Sequence, residues 1–227
     1  MTTLLLRLKA PMQSWGVSAK FDRRSTERAP SKSAVIGLIA AALGRKRNES
    51  IDDLNALKFG VRIDAEGTLL RDYQTAKSKK SAYVTHRFYL ADAAFLAGVE
   101  GDDVLLQKID AALHAPVFPL FLGRRSCPPE GRISLGIRPI SLRDALQNEP
   151  WLVERKGNFT QILMDADEND VESYIQRDTP LFFDQTHRKF AFRRIVEISQ
   201  NFAHLHTSNS DPETSHDPFE DLKDTED

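Results

Sequence analysis

His86 lies within a few residues of Lys79, Lys80 and Tyr83. An imidazole next to two ammonium groups and a phenol supplies the parts of a metal-free ribonuclease: a general base for a ribose hydroxyl and cations for the phosphate it attacks. The plainer reading, which weighs more, is a histidine in a basic loop that contacts RNA without cutting it. His204, His206 and the more distant His216 have no acidic residues at ligand spacing, so no metal site is expected. Cys127, set between Ser126 and two prolines with no base nearby, is expected to be structural. As the single cysteine it excludes an internal disulfide and a four-cysteine zinc site, and it fits a reducing, cytoplasmic location. The chain has no phosphate-binding glycine fingerprint of the nucleotide-hydrolase kind, and nothing in it calls for a cofactor.

Binding chemistry is spread more widely. In "KAPMQSWGVSAKF" the chain leaves an apolar run through Pro11 and sets Gln13, Ser14 and Trp15 in a loop, with Lys20 and Phe21 just beyond. Such residues suit a planar, charged ligand, and Trp15 either stacks on a base or wedges the loop against the body. Cations gather at Lys20, Arg23, Arg24, Arg28 and Lys32, at Arg45, Lys46 and Arg47, at Lys77, Lys79 and Lys80, and at Arg124 and Arg125. Ser31, Lys32 and Ser33 open a helix whose first amides and positive dipole end suit phosphate. From Thr207 to Asp227 eight Asp or Glu face only Lys223, a net of −7; the chain's 31 basic and 33 acidic residues therefore leave 30 and 25, or +5, for residues 1–206. A basic body favours a polyanionic partner, while the acidic, proline-containing tail has too little apolar surface to order itself. The stacking signature of ordinary RNA-recognition motifs is missing, so RNA binding would come from loops.

The positioning elements read as follows. "TTLLLRLK" alternates with period two, Leu4, Leu6 and Leu8 on one side and Leu5, Arg7 and Lys9 on the other. "APSKSAVIGLIAAALG" predicts a buried helix capped at Ser31 or Ser33 and stopped at Gly44. A short helix is expected from Ser50, with Asp53 completing a weak capping box, then strands at "FGVRI" and "TLLRDY". The apolar signal fades from Gln74 to His86, which predicts a loop ordered only by its ligand. It returns in "RFYLADAAFLAGVE", a long strand, followed by a helix over 102–114 and a strand at "VFPLFLG". Strand, helix, strand, strand, helix, strand is the ferredoxin-like order shared by RNA-recognition motifs, an α+β class. Strands at "RISLGIRPI", "NFTQILMDA" and "KFAFRRIVEIS", with a short helix over 141–147, form a smaller sheet-rich extension. The longest apolar run, residues 34–44, is too short to cross a membrane, and no signal peptide is recognisable.

Taken in order, "LLLRLKAPMQSWG", "APSKSAVIGLIAAALG", "LRDYQTA", "HRFYLADAAFLAGVEG" and "FLGRRSCPP" resemble the fifth Cas protein family of the RAMP superfamily, in its type I-E Cascade branch. The resemblance runs to about Pro129 and continues more loosely through "RDTPLFF" and "HRKFAFRRI" to about Ile198. It implies a ferredoxin-like RAMP domain over 1–130, a thumb inserted at about 73–87, a β-rich extension over 131–206 and the acidic tail over 207–227. It also implies a noncatalytic subunit of an antiviral ribonucleoprotein. Such a subunit binds the five-prime handle of a CRISPR RNA, caps a filament of backbone subunits, touches the large subunit, and meets target DNA only through the complex. The implied RNA-binding set adds Tyr73, Thr75, Tyr83, His86 and Arg87 of the thumb to the loop residues above. The alternative is a metal-independent endoribonuclease that processes precursor CRISPR RNA, as a related branch of the family does.

Overall fold

The computed structural model describes residues 1–16, 23–77, 82–154, 159–184 and 189–201. Its element order is β1 (Thr2–Lys9), β2 (Met12–Gln13), β3 (Arg23–Arg24), α1 (Lys32–Ala42), α2 (Asp52–Asn55), β4 (Lys58–Ala65), β5 (Thr68–Lys77), β6 (Ala82–Ala91), β7 (Ala94–Gly101), α3 (Asp103–His114), β8 (Ser134–Arg138), α4 (Leu142–Asn148), β9 (Phe159–Asp165), β10 (Tyr174–Phe182) and β11 (Lys189–Asn201). The acidic tail lies outside the described residues.

Among the described residues, seven strands form one antiparallel sheet in the order β10-β11-β9-β4-β7-β1-β8. Within it β1, α1, β4, β7, α3 and β8 make two interlocked strand–helix–strand units. β7 lies between β1 and β4, and β1 lies between β7 and β8. The later strands do not build a sheet of their own. β8 joins one edge at β1, and β9, β11 and β10 continue the other edge from β4.

The period-two pattern of β1 is matched on both faces. Leu4, Leu6 and Leu8 enter the larger core with α1 and α3, while Leu5 enters a second core with Leu142 and Leu146 of α4. Helix α1 is apolar nearly all round because it is covered nearly all round. Ser31 caps it by accepting the Ala34 amide, and Gly44 follows it at φ +76°, the left-handed conformation that ends helices. In α3 the cap is Asp102, which accepts the Leu105 amide.

Three expectations change, and one strand was not expected. "VFPLFLG" is not a strand: the Val117 and Phe118 amides donate to Ala42 and Ala41, satisfying carbonyls at the end of α1, and Pro119 has no amide for a ladder. The strand that follows α3 in the sheet is β8 instead. "RFYLADAAFLAGVE" is two strands in two sheets, broken at Asp92, whose φ is +56° and whose amide donates to Pro11. The second helix starts at Asp52 rather than Ser50, because Asp53 is held by Arg45 instead of closing a capping box. β10 has no clear sequence signal: Arg177, Asp178 and Pro180 interrupt its apolar residues, and its pairing with β11 shifts register twice.

Candidate nucleic-acid interface

Between β4 and β7 the chain leaves the main sheet and returns as a hairpin arm. β5 and β6 pair over ten residues each, from Thr68–Ala91 to Lys77–Ala82, about 33 Å of strand. The predicted ligand-ordered loop is therefore regular structure over its described residues. Its ladder satisfies the backbone without a ligand, and periodicity failed to reveal it because much of the arm projects into solvent. The two short strands lie along the other side of β6: β2 antiparallel at its base, β3 parallel further out with Arg23 opposite His86.

Strand alternation divides the arm's residues between two faces. One carries Arg71, Tyr73, Thr75 and Lys77 from β5 with His86 and Phe88 from β6. Here the Tyr73 and His86 ring centroids are 5.7 Å apart, Arg71 nitrogens lie 3.1–3.2 Å from both ring nitrogens of His86, and Arg23 sits 5.2 Å over the Phe88 ring. Among the described residues of β5 and β6 no carboxylate belongs to this face; Asp72 is on the other, opposite Arg87. That second face turns towards the body near its base. Tyr89 is buried there with the Arg124 guanidinium 4.6 Å over its ring, and Arg124 donates to the Arg24 carbonyl at 2.9 Å. Burial works against ionisation of Tyr89, yet Arg124, Ser126 and Arg87 beside it hold its hydroxyl below the usual range. Among the described residues Arg87 Nε and Arg124 Nη1 have no hydrogen-bond partner, and both guanidiniums already lie against the Tyr89 hydroxyl, so what they add towards a phosphate is positive charge.

The structure thus gathers Arg24, Tyr73, Thr75, Lys77, His86, Arg87 and Arg124 on or against the arm. Arg125 is exposed beside Arg124. Tyr83 is exposed, but it lies three positions before His86, an odd offset along the strand, so it stands on the opposite face and cannot share a catalytic site with that imidazole on one surface. Lys20, Lys79 and Lys80 lie outside the described residues.

Other expected contacts are already engaged within the protein. Gln13 is fully buried; its amide donates to Leu8 and Ala93 and its Oε1 accepts from Trp15 Nε1 at 3.1 Å. Ser14 donates to the Phe88 carbonyl at 3.1 Å, and Trp15 is 1% exposed, so of its two readings the wedge is the one observed. Gly123 closes the same region at φ +85°, where a Cβ would collide with the Ser14 carbonyl. The phosphate expected at the start of α1 is displaced by internal carboxylates. The Lys32 amide donates to Asp178 at 2.9 Å, its ammonium pairs with Asp165, and Ser31 is occupied as the cap, with Ser33 Oγ 3.2 Å from it. Arg193 joins Asp165 and Asp178; burial works against its charge, and the two carboxylates outweigh it. Arg45 is paired to Asp53. A cleft of about 270 Å³ beside this network is lined by Glu27, Glu66 and Glu197 as well as Arg28 and Arg193, so it offers an RNA backbone no excess of positive charge.

Sequence reasoning missed Arg71 and Phe88. The alternation Arg71, Tyr73, Thr75, Lys77 was a visible signal once the segment is read as a strand. Among the described residues no three metal-ligating groups cluster, and no helix is long and apolar enough to cross a membrane. Cys127 is buried, and burial pushes its thiol up against smaller pulls from Ser126 and Arg124. Because the thiolate is the reactive form, iodoacetamide at pH 8 should modify the folded chain about tenfold or more slowly than the chain in urea. Equal rates, measured by mass spectrometry, would show that the site opens.

The chain is thus an α+β protein from which a basic, aromatic hairpin extends. Residues 3–196 match the model of the CRISPR-associated protein (Cas_Cas5) family, and the chain belongs to that family. It is 33% identical to the CRISPR system Cascade subunit CasD of Escherichia coli (strain K12) across 59% of this chain and 70% of that one. It also superposes on a solved structure described as a Cas protein, at TM-score 0.75 and 36% identity, covering 91% of this chain and 98% of that one. A chain of a CRISPR RNA-guided surveillance complex matches at TM-score 0.79 and 31% identity, over 92% and 95%.

Proposed function

We propose that this protein is a noncatalytic CRISPR RNA-binding subunit of a Cascade surveillance complex in the cytoplasm. It binds the five-prime handle of the guide and caps the backbone filament, next to a backbone subunit and the large subunit. The core of β1, α1, β4, β7, α3 and β8 is its ferredoxin-like RAMP domain, and the β5–β6 hairpin is its thumb. The observation that carries this reading is the convergence of Arg23, Arg24, Arg71, Lys77, Arg87 and Arg124 on an arm with exposed aromatic rings. Cations for phosphates beside rings for bases are what single-stranded RNA requires. Family membership and the similarity to a Cascade subunit supply the context. The noncatalytic part is favoured by the separation of Tyr83 from His86 on opposite faces of the arm.

The test is to coexpress the chain with its complex and a repeat array, then sequence the copurified RNA. One discrete class of small RNAs sharing a five-prime end is expected, and its absence would overturn the reading. Purified protein incubated with labelled repeat RNA should leave it intact, with or without chelator. A specific cut lost on His86→Ala would establish the endoribonuclease instead.

A further inference from the structure

The outer face of the arm has more order than a basic surface needs. Arg71 lies within hydrogen-bond distance of both His86 nitrogens at once. Arg71 Nε donates to His86 Nδ1 at 3.2 Å while Nη2 lies 3.2 Å from Nδ1 and 3.1 Å from Nε2, so the guanidinium is fixed against the imidazole. Tyr73 tilts against the same imidazole at 54°, and Arg23 covers Phe88. The result is two rungs, Tyr73 with His86 and Arg71 with Phe88, with Arg23 extending the second onto β3. The first rung stays open, since Tyr73 is 63% exposed.

We infer that this face is a stacking platform for unpaired nucleobases, taking two consecutive bases of a single strand, one per rung. The inference rests on the RNA-binding reading and adds which face meets the bases. Rungs on one face of a strand repeat every second residue, about 6.6 Å apart. That is about twice the 3.4 Å rise between neighbouring bases of a duplex strand. Two bases seated on successive rungs must therefore be unstacked from each other, which a duplex does not permit and an extended single strand does. Rings and guanidinium planes both accept a base face, and among the described residues of β5 and β6 no carboxylate on this surface repels the strand. The phosphates of a strand seated here fall on the same side of the hairpin, the side that carries the cations Arg23 and Lys77, whereas Arg87 is on the other face.

The test uses the full chain and two fluorescent probes: an eight-nucleotide oligouridylate and an eight-unit oligomer of the same backbone with abasic sites throughout. The wild type should bind the first about 100-fold more tightly, two stacked bases each contributing about tenfold. Tyr73→Ala and Phe88→Ala should each remove about tenfold of that preference, leave abasic binding unchanged and keep the salt slope. Val171→Ala, at a 94% exposed position between β9 and β10, should change none of these. Circular dichroism and the melting temperature control for folding, and Tyr73→Leu and Phe88→Leu, which keep apolar bulk, should show the same loss. Undiminished preference in the variants would overturn the platform while leaving RNA binding in place. Equal weakening for both probes would make the face a backbone contact and also overturn it. Release of a copurifying subunit with probe binding unchanged would make it a protein surface. A wild type that binds neither probe would remove the RNA-binding reading itself.

Discussion

Trp15→Ala should lower the stability of this protein by about 3–5 kcal/mol, the usual cost of truncating a buried tryptophan, and should leave the salt dependence of RNA binding unchanged. The ring is closed off from solvent, and its Nε1 donates to Gln13 Oε1, whose amide in turn holds the carbonyls of Leu8 and Ala93. The backbone on either side is tied as well: the Trp15 amide donates to Thr26 Oγ1 at 2.8 Å, and its carbonyl accepts from Glu27 at 2.9 Å. Removing the indole opens a cavity and frees the amide that joins β1 to the start of β7. For a chain of this size the loss corresponds to about 6–20 °C in melting temperature. Urea denaturation gives the stability, and RNA titrations at several salt concentrations, at a temperature where the variant is folded, give the slope. Unchanged stability with at least tenfold weaker RNA binding would show that Trp15 stacks on a base after all.

Arg62→Met should be comparably costly, about 3–5 kcal/mol, because it breaks a buried ion pair from one side. Arg62 and Asp64 are both fully enclosed, joined at 2.7 Å, two residues apart in β4. The guanidinium also donates to the carbonyls of Leu146, Glu149 and Pro150 at 2.6–2.9 Å and lies 4.6 Å over the Trp151 ring. It thereby satisfies the C-terminal end of α4 and pins that helix to the second face of the sheet. Methionine keeps much of the stem but removes the guanidinium from Asp64, which still accepts the Leu152 amide, and leaves the three carbonyls without this donor. Replacing both charges, Arg62→Met with Asp64→Leu, should recover part of the loss, since a buried pair exchanged for apolar residues is often nearly neutral. A single variant that loses less than about 1 kcal/mol in urea titration would mean that α4 is held by its apolar contacts alone.

These two residues mark the limits of reading the chain without its structure. Trp15 was conspicuous, but one-dimensional context left open whether it met ligand or core; the groups that enclose it come from the 26–27 and 88–93 segments. Arg62 gave no signal, standing in an apolar strand as an ordinary charge, and its acceptors lie 84–88 residues away. The arm was misread for a related reason. Period-two apolarity reports burial on one face, and a hairpin that extends from the body has few buried positions to report.

What the sequence determined by itself is local: the alternation of β1, the largely apolar α1 between Ser31 and Gly44, the capped α3 after Asp102, the crowding of cations before α1 and along the arm, and the ordered motifs that mark the family. Each depends on neighbours within one or two helical turns or one strand, where periodicity, caps and turn residues act. Only the tertiary structure decided which cations are free to bind. Lys32 is paired with Asp165, 133 residues on, and its amide with Asp178, 146 residues on, so the promising start of α1 is closed to phosphate. Arg45 is held by Asp53, while Arg23 and Arg71 are brought against rings of one face of the arm. Whether a charge faces solvent or a carboxylate depends on contacts between distant segments, because electrostatic pairing follows distance in space and carries no period along the chain.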